Sequence, residues 1–498
     1  MIKESSVSPL ETRSIRGTIS LFAVPAILAA AGLGSAWLYM WGGFLHRFIQ
    51  GISGYIGMYI AHFAMYLLAC YVVFRLPRPS SRAVRMGVIL LVVLFAAIFR
   101  AELVGQPPYL SSDTYRYIWD GRVQASGINP YRYVPSAPEL EYLREEKIYP
   151  KINRGDYAPT PYPPIAQAVY FAVYLIYPLS ITAFKVAMSG FDIISILAIM
   201  LVLVRLGLDP GRAVLFAWHP LLIWEGAHSG HVESVFIAFI ALGLLAWAYK
   251  KAALTGCAIG LAAMVKFYPA LLLPVFMFSG GASLDRLPGL SGNLVRRLAG
   301  AARSVLLDRL NLRFVAAFAG TVVLSYLPYL SVGKRVLGYL PEEFKEEGYL
   351  DSGSRYFMLS LIDSVLPTPA IIFVVVAGTL LAGLGLWWMV RKKRDAMDVA
   401  RGSIAMIGLF WLFTSPRYSW YYAWILPFLC FVPSVAWLYL TGATILLYLL
   451  WFIPNVYPNL PVWLGTALYL PTLLFLLWES RRSRAMARMS SGGREEGE

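Results

Sequence analysis

The chain has 498 residues, of which 58% are hydrophobic and 14% charged, and its mean hydropathy is +0.61. This composition is too apolar for a soluble protein and indicates an all-α, polytopic membrane helical bundle. The net charge of +15 lies in short segments between apolar runs, where it sets topology. Because no basic stripe alternates with base-stacking aromatics, we expect membrane lipids and no nucleic acid as partners.

The first membrane spans follow from three apolar runs at 18–40, 54–74 and 86–104, with a basic linker at 75–85 before the third. Cytoplasmic loops are enriched in Lys and Arg, so this linker and the N-terminus are predicted to be cytoplasmic. The first run is too long for the core of a signal peptide, and we expect it to remain as a membrane anchor.

A long polar segment comes next, at 105–164, in which seven Lys or Arg are balanced by seven Asp or Glu. The segment is therefore predicted to be the first extracytoplasmic loop. Its many prolines favour turns and short interfacial helices over a compact soluble domain. It contains the stretch Ser112-Asp113-Thr114-Tyr115-Arg116-Tyr117-Ile118-Trp119-Asp120-Gly121-Arg122 and, a little further on, Gly127-Ile128-Asn129-Pro130-Tyr131.

The middle of the chain has apolar runs that are less regular. Runs at 165–182 and 183–206 are both apolar, but the basic turn after them suits only one crossing, so we expect 165–182 to lie at the interface or to re-enter. The runs at 252–266 and 267–280 are each short for a span. Their junction, Lys266-Phe267-Tyr268-Pro269, predicts broken helices beside a cavity.

The chain as a whole is predicted to form one transmembrane domain at 18–480 with about fourteen spans. A cytoplasmic N-terminus at 1–17 precedes this domain and a disordered cytoplasmic tail at 481–498 follows it. A second outer loop is expected at 333–365. The segment 281–313 carries six arginines against two aspartates, which makes it the clearest cytoplasmic loop in the sequence.

Ionisable side chains at membrane depth are costly, so each one suggests a function. The predicted topology brings ten of them to the extracytoplasmic side. Such a mixture suits a reaction between a hydroxyl and a phosphate-linked leaving group, because a carboxylate can take the hydroxyl proton while cations hold the phosphate. The ten residues are Asp113, Arg116, Asp120, Arg122, His228, His231, Glu233, Lys266, Arg355 and Arg417.

Several motifs that would define other chemistry are missing from the sequence. There is no Walker loop and no G-x-G-x-x-G after a strand, so an activated substrate on the outer side is expected to be carried on a lipid. The pair His228 and His231 with one nearby acid falls short of a zinc site, and no metal site is predicted. A divalent cation as cofactor stays possible, since Asp113 and Asp120 could bind one or work without it.

The loop motif S-D-x-Y-x-Y-x-W-D-G-R at 112–122, with G-x-N-P-Y at 127–131 and T-x-Y-P-P at 160–164, resembles the GT-C integral-membrane glycosyltransferases. The most similar branch is that of the bacterial polyprenyl-phosphate-mannose-dependent mannosyltransferases of the glycosyltransferase 87 type. Further similar segments are His219-Pro220 with Glu225, His231-Val232-Glu233, Lys266-Phe267-Tyr268-Pro269 and Trp420-Tyr421-Tyr422.

The resemblance implies an inverting transfer of a hexose, first of all mannose, from a polyprenyl-phosphate sugar donor to a hydroxyl of a glycolipid or glycan acceptor. It places the protein in the inner (plasma) membrane, with its site facing the extracytoplasmic side. Asp113 matches the family's general base, and Asp120 is a second catalytic candidate; the other eight residues are candidates for substrate binding. In many relatives the loop follows the first span, so here the first two spans are interpreted as an added hairpin.

Several of these residues also have simpler interpretations. Asp120 could form a structural ion pair with Arg116 or Arg122, and Asp113 could cap a short helix. The two histidines could close a hairpin, and the cations Lys266 and Arg417 could extend to the interface. The remaining expectations are an interfacial pair of Arg100 with Glu102, a solvated face at 342–347, and interface-belt positions for Trp420, Tyr421 and Tyr422.

Two other functions compete with the enzyme. A transporter or flippase for a lipid-linked or anionic substrate would place ionisable groups at several depths, whereas this sequence has mainly Lys185 and Asp192 away from the outer side. A non-catalytic partner in a cell-envelope assembly complex would not need so many acids and bases on one loop. The sequence therefore favours the enzyme.

Overall fold

The structure, a computed structural model, describes residues 9–45, 51–76, 81–278, 300, 303, 305–348, 355–391, 393, 395–452 and 459–495. In these ranges every regular element is a helix and none is a strand, as the all-α expectation requires. The predicted basic loop at 281–313 lies largely outside the described residues, as does part of the predicted outer loop at 333–365.

Three long helices form the N-terminal part of the bundle: α1 (Pro9–Leu45), α2 (Ile52–Arg75) and α3 (Arg82–Val104). They cover the three apolar runs predicted from the sequence. Helix α1 packs against both α2 and α3. Arg75 ends α2 and Arg82 begins α3, so the basic linker lies at the end of α3 that is opposite to the polar segment 105–163.

The polar segment folds into short helices between α3 and the next long helix. Helix α4 (Asp113–Ala125) is followed by 3-10 turns at Pro138–Leu143 and Tyr149–Lys151. Next come α5 (Pro164–Ile176), which packs against α4, and α6 (Ile181–Arg205). With 13 residues α5 is shorter than the roughly 20 residues that a full crossing needs, which agrees with the prediction for 165–182.

The middle of the bundle is built from interrupted helices. Two short helices, Val214–Ala217 and Pro220–Leu222, lead into a π-helical turn at Ile223–His228. Helices α7 (Glu233–Ala248) and α8 (Ala252–Ala263) follow, and a 3-10 turn at Tyr268–Leu272 continues from α8 after a break at Lys266. The predicted helix break is therefore confirmed.

Helix α9 (Arg309–Tyr326) lies along α8 at very short range. The pair Gly256 and Gly260 on α8 makes this possible, because a Cβ at Gly256 would collide with the Phe314 carbonyl and one at Gly260 would press on Thr321. Two glycines four residues apart are a common device for close helix packing in membranes.

The C-terminal part begins with 3-10 turns at Leu327–Leu337 and contains most of the remaining long helices. Helix α15 continues to Glu495, well into the tail that the sequence predicted as disordered. The helices are α10 (Leu340–Glu346), α11 (Phe357–Asp363), α12 (Ala370–Val390), α13 (Ala396–Thr414), α14 (Val435–Ala443, extended by a 3-10 turn at Thr444–Trp451) and α15 (Val462–Glu495).

Among the described residues, eight helices are long and apolar enough to cross a membrane, and four shorter apolar helices accompany them. The chain is thus a polytopic membrane protein. The number of fourteen spans stays a prediction, because irregular segments such as 214–228 and 419–429 are composed of short turns.

The expected pair of Arg100 with Glu102 is wrong. The Arg100 Nε donates to Asp192 Oδ2 on α6 at 2.9 Å, and its Nη1 donates to the Ala217 carbonyl at 2.9 Å. Arg100 and Asp192 are both buried. A buried guanidinium needs several hydrogen-bond acceptors around it, and elements that face α3 supply them better than Glu102 on the same helix. The Arg100–Asp192 ion pair therefore joins α3 to α6.

Candidate active site

Asp113 is the first residue of α4, and it lines a cavity of about 1210 Å³. Asn153 Nδ2 donates a hydrogen bond to Asp113 Oδ1 at 2.7 Å, and the hydroxyl of Tyr117, one turn along α4, lies 3.5 Å from Oδ2. The Asp113 side chain is 17% exposed. It is therefore held in place on one side and open to a ligand on the other.

His231 lies directly behind Asp113. Its Nδ1 is 3.7 Å from Asp113 Oδ2, its Nε2 is 3.4 Å from Glu225 Oε2, and its ring stacks on that of Trp420 at 3.9 Å between centroids. Complete burial holds the pKa of His231 well below its usual range, and the nearby positive charge of Lys266 lowers it further. The imidazole is therefore neutral at physiological pH.

The turn before α7 brings His231 into this position. Gly230 has a φ of 76°, and a Cβ there would collide with Thr114 on α4. The Thr114 hydroxyl donates to the Ser229 carbonyl, and the His231 amide donates to the Glu225 carbonyl at 2.8 Å. The glycine thus lets the chain pass close enough to α4 for His231 to face Asp113.

Lys266 lies at the break after α8 and lines the same cavity. It forms an ion pair with Glu233 at the start of α7, and its ammonium stands 4.5 Å from the centroid of the Tyr421 ring. Because the ion pair and the aromatic face fix the ammonium at the cavity wall, Lys266 does not extend to a lipid interface. Glu233 is placed to hold Lys266.

Asp120 and Arg116 form the structural ion pair that the sequence left open. The Arg116 Nε donates to Asp120 Oδ1 at 2.9 Å, and Gln167 Nε2 donates to Asp120 Oδ2 at 3.1 Å. Arg116 also donates to the Ala158 carbonyl at 3.0 Å and reaches the cavity wall. Within the described part of the chain, the cavity wall includes neither Asp120 nor the half-buried Arg122.

Arg355 and Arg417 meet at a different place, around the carboxylate of Glu347. Arg417 Nη2 and Arg355 Nη1 both donate to Glu347 Oε2, the latter at 3.1 Å, and Tyr418 donates to Oε1 at 3.0 Å. Both arginines are buried, and neither lies on the described cavity wall, whereas Glu347 does. They support the cavity from behind.

The expectation of a solvated face at 342–347 is wrong for Glu347, which is buried, and in part for Glu343 and Glu346, which are half-buried. Arg154 explains the difference, since its Nε pairs with Glu346 at 3.0 Å and its Nη2 lies 3.6 Å from Glu347. All four side chains line the cavity. The two polar segments that flank the cavity are therefore joined by ion pairs.

The aromatic turn at 420–422 is not an interface belt. Trp420 is 6% exposed, packs on His231 and lines the cavity together with Tyr421. Tyr422 is buried against Trp411. His228 is also buried, with its ring 4.9 Å from that of Trp224, and it does not belong to the cavity wall that the structure describes.

Sequence reasoning missed several polar and charged residues of the cavity wall, among them Lys151, Asn153, Arg154 and Glu347. Lys151 is exposed, lies 5.1 Å from the centroid of the Tyr115 ring and forms no ion pair with the described residues. The signal available in the sequence was the cluster Lys151-Ile152-Asn153-Arg154 on the same loop as Asp113. From its composition alone, this cluster resembles a solvent-exposed turn.

Part of the cavity wall is apolar. One face of α12 lines it with Phe373, Val374, Ala377, Gly378 and Leu381. No group of three or more His, Cys, Asp or Glu in the described ranges is arranged to hold a metal ion. The cavity thus combines a fixed carboxylate, several cations and an apolar wall, a set that can activate a hydroxyl, hold a phosphate and accommodate a lipid.

Fold and site together define a polytopic membrane protein whose cavity suits group transfer to a hydroxyl. A family model described as alpha-(1->6)-mannopyranosyltransferase, N-terminal domain, matches residues 17–280, and the model of glycosyltransferase family 87 matches residues 161–416. Each match covers more than half of the chain, so the chain belongs to glycosyltransferase family 87, as a mannosyltransferase type. The choice between enzyme and transporter is settled in favour of a glycosyltransferase. Searches of curated proteins and of solved structures gave no match.

Proposed function

We propose that this glycosyltransferase moves mannose from a polyprenyl-phosphate donor to a hydroxyl of a cell-envelope glycolipid or glycan, with inversion at the anomeric carbon. The observation that carries the proposal is the position of Asp113. Its carboxylate lines a cavity whose wall also contains cations and apolar side chains. Such a cavity suits a ligand with an anionic group joined to a long apolar chain.

The chemistry follows from this arrangement. Asp113 takes the proton of the acceptor hydroxyl, and the hydroxyl oxygen attacks the anomeric carbon on the face opposite to the phosphate. The bond between this carbon and the phosphate oxygen breaks, and its electron pair leaves with the polyprenyl phosphate. Lys266, Lys151 and Arg154 line the cavity and stabilise the charge that develops on the leaving group.

The three cations differ in how far they are already neutralised. Lys266 is paired with Glu233 and Arg154 with Glu346, whereas Lys151 has no carboxylate partner among the described residues. An incoming phosphate gains most from a cation that no carboxylate neutralises. Lys151 is therefore the first candidate for direct phosphate contact, with the two paired cations adding to the local potential.

An extracytoplasmic site in the inner membrane is supported by the basic ends of two helices. Helix α3 begins at Arg82, next to the basic linker, and ends at Val104, close to the Asp113 loop. Helix α12 lines the cavity with its N-terminal half and ends before Arg391. In both helices the basic end is the one away from the cavity. The positive-inside rule then directs the cavity outward.

The test is Asp113→Asn in proteoliposomes supplied with radiolabelled polyprenyl-phosphate mannose and a membrane extract as acceptor. Asparagine keeps the size of the side chain and can still pair with Asn153, but it cannot take a proton. We expect transfer to fall about 10²- to 10⁴-fold. Glu141→Gln, an exposed acid on the same loop, serves as the control and should transfer normally. An Asp113→Asn variant with undiminished transfer would exclude Asp113 as the base.

A further inference from the structure

The site contains one buried carboxylate whose role the transfer reaction leaves open. Glu225 lies in the π-helical turn Ile223–His228 and is 3% exposed. Its Oε1 accepts a hydrogen bond from the Tyr448 hydroxyl at 2.6 Å, and its Oε2 is 3.4 Å from His231 Nε2. Single π-helical turns occur often at functional sites, because they aim a side chain that a regular helix would direct elsewhere.

Four side chains therefore form a line that leads from the cavity into the protein interior: Asp113, His231, Glu225 and Tyr448. The two gaps at His231, 3.7 Å and 3.4 Å, are longer than formed hydrogen bonds, and its ring nitrogens have no closer partner among the described residues. A shift of roughly 0.5 to 0.8 Å closes each gap. Catalytic hydrogen bonds of this kind are often long without substrate and tighten when it binds.

We propose that Glu225 is a positioning residue for the base: through His231 it receives the acceptor proton and so returns Asp113 to its ionised form. The proposal rests on the function proposed above. It extends that function with a second carboxylate, which touches neither the sugar nor the phosphate.

The proton shift balances without any further reactant. Burial raises the pKa of Glu225 to about 8, so its carboxyl binds a proton readily and the route is open while it is ionised. In that state Asp113 is a carboxylate, and the neutral His231 carries its proton on Nε2, toward Glu225. Asp113 takes the acceptor proton and passes it to His231 Nδ1, while the Nε2 proton moves to Glu225 Oε2. His231 stays neutral and changes tautomer, Glu225 ends protonated, and Asp113 is again a carboxylate. After the polyprenyl phosphate has left, the proton returns by the same route to Asp113 and passes from there to water in the cavity.

The surroundings of Glu225 favour such a role. The low pKa of the buried His231 keeps its ring neutral, which a tautomer exchange requires. The stacked Trp420 ring holds the imidazole plane so that both nitrogens stay on the line. Tyr448 fixes one oxygen of Glu225 and leaves the other for His231. The titratable groups that face Glu225 are Tyr448, His231, Glu233, Asp113, Tyr55 and Tyr59.

The experiment compares Glu225→Gln with wild type in the proteoliposome assay across pH. Glutamine keeps the size and the contact with Tyr448 but cannot accept a proton. We expect kcat to fall about 10- to 100-fold while the KM for the donor stays within about twofold. On the acidic side, the slope of log kcat against pH should also be smaller by one proton in Glu225→Gln than in wild type. Glu225→Asp, which retains a carboxyl group, should restore part of both.

A structural role would give a different result, so two tyrosine variants complete the test. Tyr448→Phe removes the hydroxyl bound to Glu225 and should lower kcat. Tyr439→Phe, on the same helix α14, removes a hydroxyl that donates to the Ala467 carbonyl and should leave kcat unchanged. Normal kcat and an unchanged pH profile in Glu225→Gln, with Asp113→Asn inactive, would overturn this proposal alone. A wild-type protein that transfers no mannose would overturn the proposed function instead.

Discussion

The segment from Gly338 to Glu347 forms one side of the cavity, and its place depends on how Gly338 meets Thr160. Gly338 has a φ of 59°, in the left-handed region that favours glycine. A Cβ there would overlap the Thr160 carbonyl oxygen, the same oxygen that accepts a hydrogen bond from the Tyr339 amide at 3.1 Å. We therefore expect Gly338→Ala to displace this segment from Thr160.

Gly333 provides a matched control. Its φ of 58° and ψ of −132° are close to the 59° and −140° of Gly338, while a Cβ at Gly333 meets nothing within 4 Å. Both substitutions carry about 1 to 3 kcal/mol of backbone strain. Gly338→Ala alone adds the loss of a hydrogen bond, about 0.5 to 1.5 kcal/mol, and of the partly exposed pair of Arg154 with Glu346, about 0 to 1 kcal/mol.

The excess for Gly338→Ala is thus about 1 to 2 kcal/mol, which lowers the ratio of docked to undocked segment roughly 5- to 30-fold relative to Gly333→Ala. Limited trypsin digestion of the purified protein measures this difference at the exposed Lys345. Cleavage there should be faster, and mannose transfer slower, in Gly338→Ala than in Gly333→Ala. Equal cleavage and equal transfer in the two variants would refute the idea that docking on Thr160 places this segment.

Two further predictions concern the proposed donor. Gly378→Leu adds a side chain to the α12 face of the cavity, where a Cβ meets open space, and should raise the KM for a long-chain donor more than for a short-chain analogue. Gly383→Leu, on the same helix and equally open, should change neither KM. Equal effects of the two variants would contradict the binding of a lipid to this face. Lys151→Ala should raise the donor KM about tenfold or more through loss of a charge-assisted contact. The exposed Lys147 on the same loop is the control, and a donor KM unchanged by Lys151→Ala would remove Lys151 from the phosphate site.

Local patterns were enough to predict some parts of the site. Ser112-Asp113 is a typical start of a short helix, and α4 begins at Asp113. Lys266 before Phe267, Tyr268 and Pro269 predicted a helix break, because proline cannot continue a helix and a lysine at membrane depth needs a partner. Both features depend on residues within a few positions of one another, and for that reason the sequence reveals them.

Other parts depend on contacts between distant residues. Arg154 pairs with Glu346, 192 positions away, and Asn153 holds an oxygen of Asp113, 40 positions away. An acidic run such as 342–347 has the same composition whether it faces water or arginines brought in by the fold. Only the packing of the two polar segments shows that Glu347 is buried, so local composition predicted the opposite.

The interpretation of the first two spans as an added hairpin also changes. The matching mannopyranosyltransferase family model begins at residue 17, so α1 and α2 are part of what this family shares. Tyr55 on α2 packs edge-on against both Trp224 and Tyr448, and Tyr448 is the residue that binds Glu225. Helix α2 therefore lies behind the proposed proton route as a supporting wall of the site, and substitutions on α2 that loosen this aromatic contact should affect kcat before they affect donor binding.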